Sequence, residues 1–243
     1  MKIAIMQPYL FPYIGYFSLI KNTDHFVFFD TPQYIRKGWI NRNRILGAGG
    51  KDVYFTVPVE KCPRETPIKD VRISYNENWK EKWMGQLTIY KKRAPYYSTV
   101  MQLIQEVFNS EAEYISKMAI TSVIKTCQYL EIDIDYDIYS EMNLPMSEVN
   151  APDEWALEIT RAMKYDTYVN PPGGKTFFNA DKYRKADIEL EFLTQELLKY
   201  NQRVGVFVPG LSIIDVMMFC SPSEIVSMMN SYKMEKGEES IER

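Results

Sequence analysis

MKIAIMQPYLFPYIGYFSLI, residues Met1 to Ile20, decides how the rest of the chain is read. Lys2 to Met6 is an apolar run of strand length, stopped by Gln7-Pro8. Pro12 suits a helix entry, because its missing N–H falls where helical amides have no partner anyway. The helix is predicted from Tyr13 to Lys21. Asn22-Thr23-Asp24 breaks it, and His25 to Asp30 reads as a second apolar strand. Strand, turn, helix and strand in this order predict two parallel strands joined by a right-handed crossover. The expected fold class is therefore α/β, an open and mainly parallel sheet. Inside the stretch, Gln7 to Tyr16 holds three tyrosines and two prolines. It reads either as an aromatic plug sealing a core or as the floor of a ligand site.

Working outward, Thr31 to Gly50 mixes basic, polar and aromatic residues with no clean period, and it ends in a glycine turn. Asp52 to Val59 reads as a third strand and Val71 to Ser74 as a short fourth. From residue 78 to about 130 the apolar spacing turns helical. Trp79, Trp83 and Leu87, then Val100, Leu103 and Ile104, then Ile115, Met118 and Ala119 mark three helices, a helical insertion into the α/β unit. Ile132 to Ile138 alternates strictly and reads as a strand whose acids form a solvated face. Pro152 to Lys164 is a helix with acids in its first turn. Thr167 to Asn170 and Ile188 to Leu193 are strands, with a helical turn at Asn179 to Lys185 between them. Ser212 to Phe219 and Ser223 to Ser231 are helices, the first with Ser212 and Asp215 at capping-box spacing. Residues 232–243 are charged and read as a frayed tail. One domain spanning residues 1–243 is expected.

The composition excludes several classes. The 243 residues are 46% hydrophobic and 25% charged, as in a chain that buries a core. A net charge of -3 argues against nucleic acid as the partner. Cys62, Cys127 and Cys220 lie far apart in no C-x-x-C spacing, which implies reduced thiols and no zinc site. No run approaches the ~18 apolar residues of a membrane span, and the N-terminal run is too short for a signal peptide. A cytoplasmic protein is the expectation. His25 is the one histidine, which leaves little room for histidine-based triads or two-histidine metal centres. It reads as a surface residue at a strand end.

Ligands of open parallel sheets bind beyond the carboxyl ends of the strands. Three polar segments follow predicted strands: Gln7–Tyr16, Asp30–Arg44 and Asn170–Lys175. Tyr9, Tyr13, Gly15 and Tyr16 would line the site. Lys37, Trp39, Asn41 and Arg42 would supply cations, an amide and a ring. Gly173, Gly174 and Lys175 would give backbone amides and one more cation, although the spacing is not that of a Walker A loop. Gln7 and Asp30 are the candidates to orient the reacting group, with Asp30 as general base. Each segment also has a plain reading, as sheet cover, solvated basic loop or tight turn. The outline Tyr13-Ile14-Gly15-Tyr16 resembles the H-I-G-H turn of class I aminoacyl-tRNA synthetases and nucleotidylyltransferases, a HUP-like outline with tyrosines in place of both histidines. Such a turn can hydrogen-bond or stack, but it brings no positive charge.

Five blocks, MKIAIMQPYLFPYIGYFSLI, FDTPQYIRKGWINRNRIL, RAPYY, TYVNPPGGKTFFN and VPGLSIIDVMMF, resemble the WbqC-like protein family in the family's order. Where the family reads Tyr-Leu-Ser-Gly before its glycine loop, this chain has Tyr168-Val169-Asn170-Pro171. The resemblance implies a bacterial protein of surface polysaccharide or O-antigen assembly, and so a nucleotide-activated sugar as the small-molecule partner. The expected activity is a transferase placing an acyl or aminoacyl group on an amino sugar. Two alternatives stand beside it: a nucleotidylyl- or adenylate-forming enzyme with a modified H-I-G-H turn, and a non-catalytic partner of biosynthetic enzymes. The sequence names no cofactor and no oligomeric state.

Overall fold

A computed structural model describes residues 1–237. Its centre is a six-stranded sheet built from β1 (Lys2–Met6), β2 (His25–Phe28), β5 (Tyr136–Ile138), β6 (Thr167–Asn170), β7 (Glu189–Gln195) and β8 (Tyr232–Lys236). The spatial order is β5-β2-β1-β6-β7-β8. The first five of these run parallel and β8 closes the edge antiparallel to β7. Numbered along the chain, the parallel strands stand 3-2-1-4-5, so the order reverses between β1 and β6. The expected open, mainly parallel α/β sheet is present.

Helices cover both faces, as the period of two in β1 requires. Ile3 and Ile5 point into a cluster with α5 (Glu154–Ala162) and Tyr183 of α6 (Ala180–Lys185). Ala4 points the other way, into the larger core. That core takes α1 (Ile14–Lys21), the helices of the insertion, α7 (Ile213–Phe219) and α8 (Pro222–Met228). The insertion contributes α2 (Trp79–Leu87), α3 (Tyr97–Phe108) and α4 (Ile115–Tyr129). Trp83 is buried at its centre and donates from Nε1 to the Thr56 carbonyl at 3.0 Å.

Five expectations change. Asp52–Thr56 is not a strand of the main sheet: it is β4 of a separate hairpin with β3 (Arg42–Leu46), in the segment read as having no period. Val71 to Ser74 makes only isolated bridges. Ser212 caps α7 by accepting from the Ile214 N–H, while the Asp215 carboxylate turns inward; the capping box is at Ser221 and Glu224. Tyr232–Lys236, expected to fray, pairs with β7, and residues 238–243 lie outside the described residues. His25 is buried, not superficial: its two ring nitrogens face the Asp135 and Asp137 carboxylates at 2.9 and 3.1 Å. No helix among the described residues is long and apolar enough to cross a membrane.

Candidate functional site

The turn between β1 and α1 is held from three directions. Phe11 donates its N–H to Ser122 Oγ of α4 at 2.9 Å. Its carbonyl accepts from Ser212 Oγ at 2.7 Å and from Asn43 Nδ2 of β3 at 2.8 Å. The Pro12 carbonyl accepts from the Ile213 N–H at 2.9 Å. These bonds hold Phe11 at φ 41°, a conformation that side chains other than glycine rarely adopt. The stretch divides between the core and a cavity. Leu10 and Phe11 are fully buried and plug the core. Tyr9 and Tyr13 are half-buried and face a cavity.

That cavity, about 430 Å³, opens at the carboxyl ends of β1 and β6, where the strand order reverses. Met6 ends β1 and Asn170 ends β6, and both line it. Tyr9, Pro12, Tyr13 and Tyr16 come from the N-terminal turn, Trp39, Asn43 and Arg44 from the hairpin segment, and Pro171, Gly173 and Gly174 from the glycine loop. Gly210 closes the rim. A second cavity, about 670 Å³, lies beside it and shares Met6, Tyr9 and Asn170.

Arg44 is the charged side chain in the lining of the first cavity. Its Nη1 stands 3.1 Å from the Asp52 carboxylate and its Nη2 donates to the Gly210 carbonyl at 3.3 Å. Its Nε is buried with no partner among the described residues. The guanidinium carbon lies 5.8 Å from the centre of the Trp39 ring, which stacks on Tyr54 at 6.2 Å. The Tyr9 and Tyr13 hydroxyls have no partner among the described residues. Burial raises both pKa values, with the neighbouring Tyr13 adding to the shift at Tyr9, so both groups are neutral donors at pH 7. Helix α1 starts behind this wall with no side-chain cap, its first residues Ile14 and Gly15 buried and the Tyr13 ring lying over Gly15.

The candidate residues from the sequence separate into two groups. Tyr9, Tyr13, Tyr16, Trp39, Gly173 and Gly174 meet around the first cavity, and Gln7 lines the second. Tyr16 is buried and donates to the Gln7 carbonyl at 2.9 Å, so its hydroxyl is committed. Gly15 does not open the helix to a ligand: a Cβ there would lie 2.5 Å from the Tyr13 ring, so the glycine makes room for that ring. Gly174 similarly makes room for Asn170, whose Nδ2 would stand 2.1 Å from a Cβ.

The other candidates line neither cavity. Asp30 is 1% exposed, and its carboxylate accepts from the Ser140 N–H at 3.0 Å and the Ser140 hydroxyl at 2.7 Å. It fastens the end of β2 to the turn after β5 and does not reach the cavity as a base. Asn41 is buried between the Tyr34 hydroxyl and the Val57 carbonyl. Arg42 donates to the Gly38 and Lys37 carbonyls and lies 4.4 Å over the Tyr54 ring. Lys37 is exposed, with φ 61°. Lys175 pairs with Glu235 at 2.7 Å. Sequence reasoning held Arg44, Asn43 and Asn170 within its polar segments but did not single them out. The signal for Arg44 was the alternation of Asn43 and Ile45, both buried, which sets strand period and turns Arg44 outward. Cys127 and Cys220 are pushed up to about 12 and about 11 by burial and supply no thiolate at neutral pH.

The fold defines an open α/β protein with a cavity at its topological switch point. The chain belongs to the WbqC-like protein family, whose model matches residues 7–227. It is similar to an uncharacterized protein, Rv1507c, of Mycobacterium tuberculosis (strain ATCC 25618 / H37Rv), with 24% identity over 225 residues covering 89% of this chain and 92% of the relative. No solved structure matches.

Proposed function

We propose that the first cavity binds a nucleotide-activated sugar and that the protein is a transferase placing an acyl or aminoacyl group on that sugar's amine, in bacterial surface polysaccharide biosynthesis. The observation that carries the reading is the meeting of Arg44, Trp39, Tyr9 and Tyr13 at the strand-order reversal. Arg44 suits a phosphate of the diphosphate. Trp39, partly exposed, suits a base or sugar face. Membership of the family supports the pathway, and the adjoining second cavity leaves room for a second substrate. With Asp30 enclosed, the simplest chemistry is direct attack by the neutral substrate amine on the acyl carbon of an activated donor. The N–C bond forms, the bond from that carbon to the donor's leaving group breaks, and the amine proton departs with the leaving group. Tyr9 and Tyr13 hydrogen-bond the reacting groups.

Calorimetry with UDP-N-acetylglucosamine and a panel of amino-sugar nucleotides tests the binding step. Saturable binding that Arg44→Ala weakens is expected. No heat with any nucleotide sugar would remove the reading. The 3-2-1-4-5 strand order favours a second reading, a nucleotidylyl- or adenylate-forming enzyme. Thermal stabilisation by ATP or CTP with magnesium, and release of pyrophosphate, would mark it.

A further inference from the structure

We propose that the second cavity is a separate subsite for an uncharged group with an apolar body and a carbonyl head, the acyl portion of a donor. None of its lining residues is charged. Phe29, Trp155 and Phe177 supply rings, and Phe177 and Trp155 are 53% and 37% exposed. Exposed rings of this size gain from an apolar ligand that covers them. Gln7, Gln33 and Thr31 supply the polar contacts. The amides of Gln7 and Gln33 have no partner among the described residues, and each can both donate to a carbonyl and accept from an N–H.

Charges next to this cavity in sequence are already occupied. Asp153 and Glu154, between the lining residues Pro152 and Trp155, pair with Lys182 at 2.9 and 2.8 Å. Asp30, beside Thr31, is bonded to Ser140. Lys175, two residues before Phe177, pairs with Glu235. A charged ligand would lose water here and find no counter-ion, which is costly, whereas a neutral amide would be satisfied. The first cavity, with Arg44, has the opposite preference. Because Met6, Tyr9 and Asn170 belong to both linings, ligands in the two cavities would meet across those residues. Naming the group as the acyl part of a donor rests on the transferase reading; the preference for an uncharged ligand does not.

The test compares three probes of equal length, hexanamide, hexanoate and hexylamine, titrated at pH 7 against the full chain by ligand-observed NMR. Hexanamide should bind saturably and at least tenfold more tightly than either charged probe. Phe177→Ala removes an exposed ring without opening the core and should weaken hexanamide at least fivefold. Gln33→Glu, also at an exposed position, should shift preference at least threefold toward hexylamine. Equal binding of the three probes, or hexanamide binding unaffected by Phe177→Ala, overturns the assignment. UDP-N-acetylglucosamine is titrated in parallel. Failure of it and of every amino-sugar nucleotide in the panel, with hexanamide binding intact, would remove the function proposed for the first cavity and leave this subsite standing; the reverse would remove only the subsite.

Discussion

Arg44 and Asp52 face each other across the β3–β4 hairpin at 3.1 Å, leaving Arg44 half-neutralised at the edge of the cavity. A ligand phosphate would compete with Asp52 for the guanidinium. Arg44→Ala should therefore weaken nucleotide-sugar binding about ten- to hundredfold, the range of a hydrogen bond to a charged group of ~1.5–3 kcal/mol. Asp52→Asn should tighten it. Arg42→Ala and Lys175→Ala should leave the dissociation constant unchanged in calorimetry, because both side chains are committed outside the cavity. A loss in Arg42→Ala equal to that in Arg44→Ala would return the phosphate to the earlier candidate.

Trp39 is 40% exposed, so its removal should spare stability and cost affinity. Stacking of a base on a ring contributes ~1–3 kcal/mol by alanine substitution. Trp39→Ala should raise the dissociation constant about tenfold, with an unchanged urea midpoint. An unchanged dissociation constant would place the aromatic part of the ligand elsewhere.

Tyr13 and Gly15 are coupled by contact. Gly15→Ala should push the half-buried Tyr13 ring toward the cavity, which offsets part of the ~1 kcal/mol alanine gains over glycine in a helix. In a Tyr13→Ala background the same change should keep that gain in full. Urea unfolding of the four proteins in the cycle measures the coupling. Additive effects would show that the ring does not rest on the glycine.

Asp215 sits in the core and accepts from Tyr90 at 2.6 Å, Tyr200 at 2.5 Å and Gln202 at 2.8 Å. Burial raises its pKa above the ordinary carboxylate range, and the hydrogen bonds only partly oppose this. The folded state thus holds this proton more tightly than the unfolded chain, whose aspartate titrates near ~3.9. The resulting stability is full below that value and is lost as pH rises through the folded pKa. Asp215→Asn lacks this component. The stability advantage of the natural chain over Asp215→Asn should shrink as pH rises from about 4, as read by urea unfolding at a series of pH values. An advantage that grows over the same range would mean that the three donors outweigh burial.

The sheet core was legible because Lys2–Met6, His25–Phe28 and Thr167–Asn170 are short apolar runs between clear breakers, and buried parallel strands look like that. The insertion helices were legible from their tryptophan and leucine spacing. β8 was not, because Tyr-Lys-Met-Glu-Lys is an edge strand whose stability comes from pairing with Leu193 and Thr194, about forty residues earlier. The strand order was not legible either, since no local signal states which strands become neighbours. For the cavity, its place beyond a strand end could be read from the sequence, but which tyrosines of the turn face it could not, since Tyr16 is buried while Tyr9 and Tyr13 line it. Arg42 and Arg44 could not be ranked from composition. Both alternate outward on the hairpin, and only the approach of the Gly210 loop assigns Arg44 to the cavity.

The turn carrying Tyr9 and Tyr13 takes its shape from Ser122 and Ser212, which lie 111 and 201 residues beyond the Phe11 groups they hold. A chain cut between Ser122 and Ser212 would keep every residue of the turn yet lose one of the bonds that hold Phe11. The shape of this wall is thus decided by residues far along the chain and not by the turn's own sequence.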